Sequence, residues 1–206
     1  MISLNPQNGP PGGYGERFTP ADYWNLWRRH NWDHWYPKFF GPLTEVAGLA
    51  LDGTTPATED DQKELATNRM VFVELCPYAS SEFSVEWDQL LELCHTDLGF
   101  FVAERFNATL LNEAQPGVVL INGNSSRSVF EERHKDRLNG WIKRRYVSEA
   151  APQKQLHHWE GTYRTTAGTD LPVVGFPFLS TARGFNGHVE CQQLGRKIRD
   201  FVGGSH

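Results

Sequence analysis

The chain lacks long apolar runs and is poor in cysteine. Its 206 residues contain no uninterrupted apolar stretch of about 18 residues, the length that a membrane-spanning helix needs, and no apolar segment of the signal-peptide type begins it. The three cysteines, Cys76, Cys94 and Cys191, lie far apart and form no C-x-x-C pair. This excludes a four-cysteine zinc or iron–sulfur site, and the odd number favours a reducing compartment over a disulfide scaffold.

Several catalytic motifs are also missing. The sequence has no P-loop, no G-x-S-x-G turn and no cluster of metal ligands. Phosphoryl transfer, serine hydrolysis and metal-dependent hydrolysis therefore have little support, and we expect neither a cofactor nor a metal. Aromatic residues, in contrast, are numerous: seven Trp, six Tyr and thirteen Phe. Aromatics serve cores first, but they also stack on bases and sugars, so their number points weakly to a ring-shaped ligand.

Charge is unevenly distributed along the chain. The net charge is −5, but residues 44–104 carry thirteen acids against two bases, whereas residues 127–164 carry nine bases against five acids. The run Lys143-Arg144-Arg145 lies in the second stretch. One face of the molecule can therefore be basic although the whole is acidic. The alternative is that both stretches are ordinary solvated faces of mixed charge.

Short apolar strands alternate with helical stretches, which predicts an α/β fold: a three-layer α/β/α sandwich with a short, mainly four-stranded parallel sheet. We expect one domain over residues 1–202 and treat 203–206 as an expression scar. The predicted apolar strands are 1–4, 69–75, 118–121 and 171–175. The predicted helices are 21–30, a stretch that is capped by Ser84 and runs to about 112, 126–138 and 187–202. We expect 141–147 and 155–164 to form a hairpin, and 52–68 to form a polar loop.

Polar residues follow three of the four predicted parallel strands. In such sheets ligands bind beyond the carboxyl ends of the strands. These ends read Asn5-Pro6, Glu74-Leu75-Cys76-Pro77, Asn122-Gly123 and Phe176-Pro177. The loop after the first strand is rich in Gly and Pro, so its backbone can approach a ligand closely. An ordinary Gly/Pro surface loop is the alternative at that position.

Three segments together resemble the uracil-DNA glycosylase superfamily, and most closely its single-strand-selective monofunctional type. That type opens with a GMNPGPFG…GVPFGE-like stretch, where residues 3–16 read SLNPQNGPPGGYGE. It has NLCP at the end of its second strand, where residues 74–77 read ELCP, and an HPS-like motif with a DNA-penetrating loop after its last strand, where residues 176–186 read FPFLSTARGFN. The resemblance implies a monofunctional glycosylase that flips a nucleotide out of DNA and hydrolyses the N-glycosidic bond.

The resemblance also implies roles for individual residues. Asn5 would position the attacking water, and Tyr14 would stack on the flipped base. Arg127, Ser180 and Arg183 would contact DNA. The partner implied is DNA, single- or double-stranded; we expect a monomer, no membrane association, and a cytoplasmic protein, nucleoid-associated in a prokaryote. The base pocket would be formed by Tyr14, Glu74, Tyr78, Asn122 and Phe176.

Two departures from the family pattern bear on the substrate. Phe176 or Gly175 stands where the family has a His that stabilises the leaving base; His157 or His158 would be a substitute donor, unless that pair is simply solvated in a polar loop. Glu74 replaces the Asn that reads uracil. A carboxylate repels a carbonyl and attracts an exocyclic amine, which favours a cytosine-like or modified cytosine base, for example in phage DNA. The expected biological role is DNA repair or antiviral defence. Alternatively, Glu74 pairs with Arg69 or Arg127.

Two other functions remain open at this point. A non-catalytic reader would bind flipped or modified bases without cleaving them, and the missing His makes this plausible. An enzyme acting on free nucleosides or nucleotides would have little need for the basic stretch 127–164.

Overall fold

The structure is a computed structural model that describes residues 2–3, 37–71, 73–74, 86–179, 185 and 187–204. For residues 2–3, 37–41, 59 and 74 it describes the backbone alone. The chain has an α/β fold, as the sequence predicts. The predicted helix 21–30 and the predicted cap Ser84 lie outside the described residues. Within them, no helix is long and apolar enough to cross a membrane.

Strands and helices alternate over the first part of the described chain, and a three-strand run follows. The strands are β1 (Ile2–Ser3), β2 (Val73–Glu74), β3 (Val119–Asn122), β4 (Leu138–Val147), β5 (Gln155–Arg164) and β6 (Asp170–Phe176). The α-helices are α1 (Pro37–Asp52), α2 (Glu59–Glu64), α3 (Trp87–Thr96), α4 (Leu98–Ala114), α5 (Asn124–His134) and α6 (His188–Gly203). A π-helical turn (Leu65–Arg69) follows α2, and a 3-10 turn (Lys135–Arg137) follows α5.

The described strands form one six-stranded sheet in the order β2-β1-β3-β6-β5-β4. β1 pairs in parallel with both β2 and β3. Thus the four predicted apolar strands are neighbours in the sheet. The predicted hairpin β4–β5 continues the sheet beyond β6. Its connection is closed by a hydrogen bond from Ser148 N to Lys154 O (2.9 Å), and the β5–β6 connection by one from Thr165 N to Thr169 O (2.8 Å), as short antiparallel connections are.

The chain divides into two compact units, each built from three separate segments. Unit 1 comprises Met1–Glu16, Phe72–Trp141 and Gly161–Gly175, and unit 2 comprises Arg17–Val71, Ile142–Glu160 and Phe176–His206. The core of unit 1 surrounds β3, whose four residues are all buried. A strand buried on both faces is apolar throughout, which is why the run Val-Leu-Ile was recognisable from the sequence. Its partners in that core are Leu111, Phe130, Tyr163, Leu171 and Val173.

The core of unit 2 lies between α1 and α6. Leu43 and Val46 of α1 and Leu194 and Ile198 of α6 are all fully buried. The two helices approach closely at Gly195, where an added Cβ would stand 2.7 Å from the Leu49 Cβ atom. Glycine at this position therefore sets the distance between the helices.

Several predicted boundaries were wrong, each for a local reason. The stretch 52–68 is not a loop, because Thr58 and Asp61 form a capping box that begins α2. The π-helical turn includes Arg69, so the strand predicted over 69–75 does not begin there; its described part is Val73–Glu74. The predicted helix 126–138 begins at Asn124 and ends at His134, since Leu138 already belongs to β4.

Candidate functional site

The carboxyl ends of β2, β1 and β3 meet at one edge of the sheet. Ser3 of β1 is paired with Glu74 of β2, and Ile2 is paired with Ile121 of β3. Asn122 follows Ile121 and therefore ends β3 at the same edge as Ser3 and Glu74. The structure thus brings together three of the four strand ends from which the sequence predicts a site.

Asn122 is the best-described residue of this edge. Its side chain is almost completely buried, at 1% exposure. Gly123 follows with a φ of 98°, a left-handed conformation that favours glycine, and it turns the chain directly into α5. Arg127 N donates to Gly123 O at 3.0 Å and so begins the hydrogen bonding of the helix. The first turn of α5 therefore places its backbone N–H groups at this edge, and a helix N-terminus attracts negative charge.

The Arg127 side chain lies against β6. An added Cβ at Gly175 would stand 2.9 Å from Arg127 Cγ and 3.3 Å from a ring carbon of Trp141, so the glycine makes room for the arginine. The side chain is only 16% exposed, and its guanidinium forms an ion pair with Glu131 and donates to Ser128 Oγ. A phosphate contact by Arg127 requires the guanidinium to turn away from Glu131.

Phe176 ends β6 and is fully buried, at 0% exposure. Its ring belongs to the interior in the conformation described, where an aromatic residue stabilises by burial. The remaining predicted site residues are not described: Asn5, Tyr14, Tyr78, Ser180 and Arg183 lie outside the described residues, and for Glu74 the backbone alone is placed.

The histidine pair lies in a strand, as predicted for 155–164, so the alternative of a pair solvated in a polar loop is wrong. His157 and His158 lie in the middle of β5, where alternate side chains point to opposite faces, so one is half-exposed and the other buried. His158 Nε2 lies 3.0 Å from Glu160 Oε2, and Arg144 Nε donates to Glu160 Oε1 at 2.5 Å. Burial lowers the pKa of His158 even though Glu160 acts in the opposite direction. His158 Nε2 is held by Glu160 in the core, so His158 is not favoured as the substitute donor.

A buried acidic residue that the sequence did not single out fixes the β4–β5 hairpin to α6. Ser148 Oγ donates to Glu190 Oε1 at 2.6 Å, and Lys154 Nζ donates to Glu190 Oε2 at 2.8 Å. Both partners belong to the hairpin connection, 36 or more positions away in the chain. This pairing could not be predicted from a local sequence pattern, because it depends on tertiary contact alone. Its role is structural.

The enclosed cavity in unit 1 is too small for a nucleobase. It has a volume of about 20 Å³ and lies among α3, α4 and α5, beside Glu104, Asn107, Arg133 and His134. This is about the space of a single water molecule. A wider cleft of about 390 Å³ in unit 2 is lined by basic side chains of α6, among them Arg196 and Lys197. In the part of the chain that the structure describes, no three His, Cys, Asp or Glu side chains are grouped as a metal site.

Comparisons of the chain with protein-family models, curated sequences and solved structures found no match. The family assignment therefore depends on the sequence motifs given above and stays a prediction.

Proposed function

We propose that the protein is a monofunctional DNA glycosylase of the uracil-DNA glycosylase type. It flips a nucleotide out of DNA and hydrolyses the N-glycosidic bond, which leaves an abasic site. The observation that carries the proposal is the shared strand edge, where β1, from which the Asn5 motif continues, lies between the strands that end in Glu74 and Asn122. With a DNA substrate the enzyme is cytoplasmic, and nucleoid-associated if the source is a prokaryote.

The reaction requires a positioned water and a stabilised leaving base. Asn5, at the position of the family's Asn, holds the water whose oxygen attacks the sugar C1′ as the bond to the base breaks. The bonding electrons leave with the base, which becomes anionic until it takes up a proton. Tyr14 stacks on the flipped base, and the loop that contains Ser180 and Arg183 fills the space that the base leaves.

The departing anion needs hydrogen-bond donors, because the family's His is missing. The strand edge supplies two kinds: the Asn122 amide and the N–H groups of the first turn of α5, which begins right after Gly123. Such donors act on charge that develops only in the transition state. They support catalysis at this edge without an imidazole.

Glu74 favours an amine-bearing base. The alternative was an ion pair with Arg69 or Arg127, but both have other carboxylate partners: Arg69 pairs with Asp52, and Arg127 with Glu131. A carboxylate at this position would accept a hydrogen bond from the exocyclic amine of cytosine and repel the carbonyl of uracil. We therefore propose cytosine-like or 5-modified cytosine bases as substrates.

Replacing Asn122 tests the strand edge. In Asn122→Ala the donor is lost, and we expect abasic-site formation in a labelled oligonucleotide, read by alkaline strand cleavage, to slow by about 10²-fold. Asn124→Ala removes an exposed amide two positions further on and should leave the rate unchanged. Because Asn122 is buried, Asn122→Asp serves as an isosteric second variant. A folded Asn122→Asp protein with the unaltered rate would contradict the proposal.

Replacing Glu74 tests the choice of base. Glu74→Asn restores the family's amide, which pairs with uracil's carbonyl and ring N–H. We expect the ratio of uracil to cytosine excision to rise at least tenfold, since one good base contact is worth about 1–3 kcal/mol. The readout is the initial rate on oligonucleotides that differ in this one base. Robust uracil release that survives Glu74→Ala would remove the basis for the cytosine preference.

The alternative is a reader that binds flipped or modified bases without cleaving them. The buried Phe176 at the position of the family's His favours it, because an interior ring donates no hydrogen bond to a leaving base. Tight DNA binding without abasic sites, unchanged by Asn5→Ala, would establish the reader instead of the enzyme.

A further inference from the structure

The β4–β5 hairpin has two faces of different chemistry. The bond from Ser148 N to Lys154 O sets the register, and the backbone of Trp141 lies against Gly161 in agreement with it. In this register Lys143 stands opposite Trp159, and Arg145 stands opposite His157. The four residues share one face, because side chains alternate between faces along each strand, and on β5 the intervening residues are buried. We call this face the ribbon face: Lys143, Arg145, His157 and Trp159.

The opposite face is closed by its own contacts. Arg144 is ion-paired with Glu160, which also bonds His158, and Tyr146 packs against His158 with ring centroids 5.6 Å apart. The basic run Lys143-Arg144-Arg145 is therefore split between the two faces. Its middle member serves the fold, and the outer two belong to the ribbon face.

Cations and aromatic rings are interleaved on the ribbon face. Lys143 Nζ lies 4.8 Å from the centroid of the Trp159 ring, a cation–π distance, and the His157 ring meets Trp159 edge-on at 4.9 Å. Lys143 and Arg145 are exposed, and neither forms an ion pair with any described residue. By contrast, Arg144, Lys154 and Arg164 all have carboxylate partners.

We propose that the ribbon face binds single-stranded DNA, with a base on Trp159 and backbone phosphates on Lys143 and Arg145. Aromatic platforms beside cations are what sequence-tolerant single-strand binding requires. Lys143 and Arg145 are two residues apart on one strand, about 7 Å, a spacing suited to successive phosphates of an extended strand. The choice of DNA over RNA rests on the proposed glycosylase function; the surface itself is distinct from the strand edge at Asn122.

Two variants with equal charge change test the cations. The double variant Lys143→Ala/Arg145→Ala removes both cations from the ribbon face. The control, Lys135→Ala/Arg164→Ala, removes two cations that are paired with Glu132 and Asp170. Binding of a labelled oligo-dT is followed by fluorescence anisotropy over a range of salt concentrations. The first variant should bind at least tenfold more weakly and lose about 1.4 from the slope of log K against log salt, and the second should match the wild type. Equal binding by both double variants would overturn the proposal.

Replacing Trp159 separates stacking from charge. Trp159→Phe keeps an aromatic face and should retain most of the affinity, whereas Trp159→Leu keeps bulk without a π-face and should lose about tenfold. Equal affinity of the two variants would show that no base stacks there. Poly-glutamate that competes as well as oligo-dT, or oligo-U RNA that binds more tightly, would also contradict a DNA site. In the first case the cations of β4 would serve to protect an exposed sheet edge from pairing, and in the second the surface would bind RNA.

An excision assay on the same proteins tells the two proposals apart. If no protein forms abasic sites but the ribbon variants still weaken oligo-dT binding, the glycosylase proposal fails and the ribbon face stands. If abasic sites form and the ribbon variants bind like the wild type, only the ribbon face fails.

Discussion

At the scale of single residues, the clearest electrostatic feature is a histidine in an aromatic environment that forms no ion pair with any described residue. His134 closes α5 with its ring 4.5 Å from the Phe130 ring and edge-on to the Tyr163 ring at 5.4 Å. Burial, and then the nearby Arg133 and Arg137, lower its pKa to about 4. The folded protein therefore holds this imidazole neutral at any pH well above 4.

This histidine predicts a loss of stability in acid. The unfolded chain takes up the proton near the ordinary pKa of 6.5, and the folded chain only near 4, so stability is complete above pH 6.5 and falls as the pH drops toward 4. The full effect is about 3 kcal/mol. Urea unfolding at pH 7.5 and pH 4.5 measures it. His134→Phe should reduce the difference by most of this amount, since pH 4.5 is still above the folded pKa, whereas His95→Gln, an exposed site in the last turn of α3, should not. Parallel pH profiles for both variants would be inconsistent with a buried neutral His134.

At the scale of elements, the sequence predicted the strands and helices whose positions are set by local patterns. β3, β5, β6 and α6 lie within one or two residues of their predicted positions, because apolar runs and helix ends are local signals. α1 was missed because it contains Gly41-Pro42, a pair typical of turns, inside the helix. The helix persists there because Leu43, Val46 and Ala47 bury one side of it. Tertiary packing outweighs the local preference, and a single sequence does not reveal the packing partner.

The candidate site, too, has features that local patterns predict and features that depend on tertiary packing. The sequence predicts that strand ends gather at one edge, and the pairing of Ser3 with Glu74 and of Ile2 with Ile121 confirms this for three strands. The sequence did not predict that His158 is buried against Glu160, or that the Glu190 carboxylate accepts hydrogen bonds from Ser148 and Lys154. Those contacts join residues through the tertiary fold, so their chemistry appears only when the elements are assembled.

The contact between α1 and α6 gives a prediction at this scale. Gly195→Ala places a methyl group 2.7 Å from Leu49 Cβ and 3.0 Å from the carbonyl oxygen of Val46, which is backbone and cannot move aside. We expect a loss of about 1–3 kcal/mol in the free energy of unfolding, in spite of the better helix propensity of Ala. Gly203→Ala, at the end of the same helix with nothing within 4 Å, is the control and should be neutral or slightly stabilising. Chemical denaturation measures the free energy of unfolding of both variants. Equal values for the two would contradict the close approach of α1 and α6 at Gly195.

At the scale of the whole molecule, opposite charges lie on different elements. The acidic stretch 44–104 includes α2 and α3, and the basic stretch 127–164 includes α5 and the β4–β5 hairpin. The proposed DNA binding would take place at this localised basic surface, with repulsion elsewhere on an acidic protein. Its salt dependence is then expected to reflect a few contacts and not the net charge of −5.

The central claim is that this molecule breaks N-glycosidic bonds in DNA, and mass spectrometry of released bases tests it most directly. Single-stranded oligonucleotides that contain uracil, cytosine or 5-substituted cytosines are incubated with the wild type and with Asn5→Ala. We expect a cytosine-type free base in the wild-type reaction, with one abasic site per base released, and none with Asn5→Ala. DNA that is bound but yields no free base from any oligonucleotide, or release that Asn5→Ala does not change, would contradict the account.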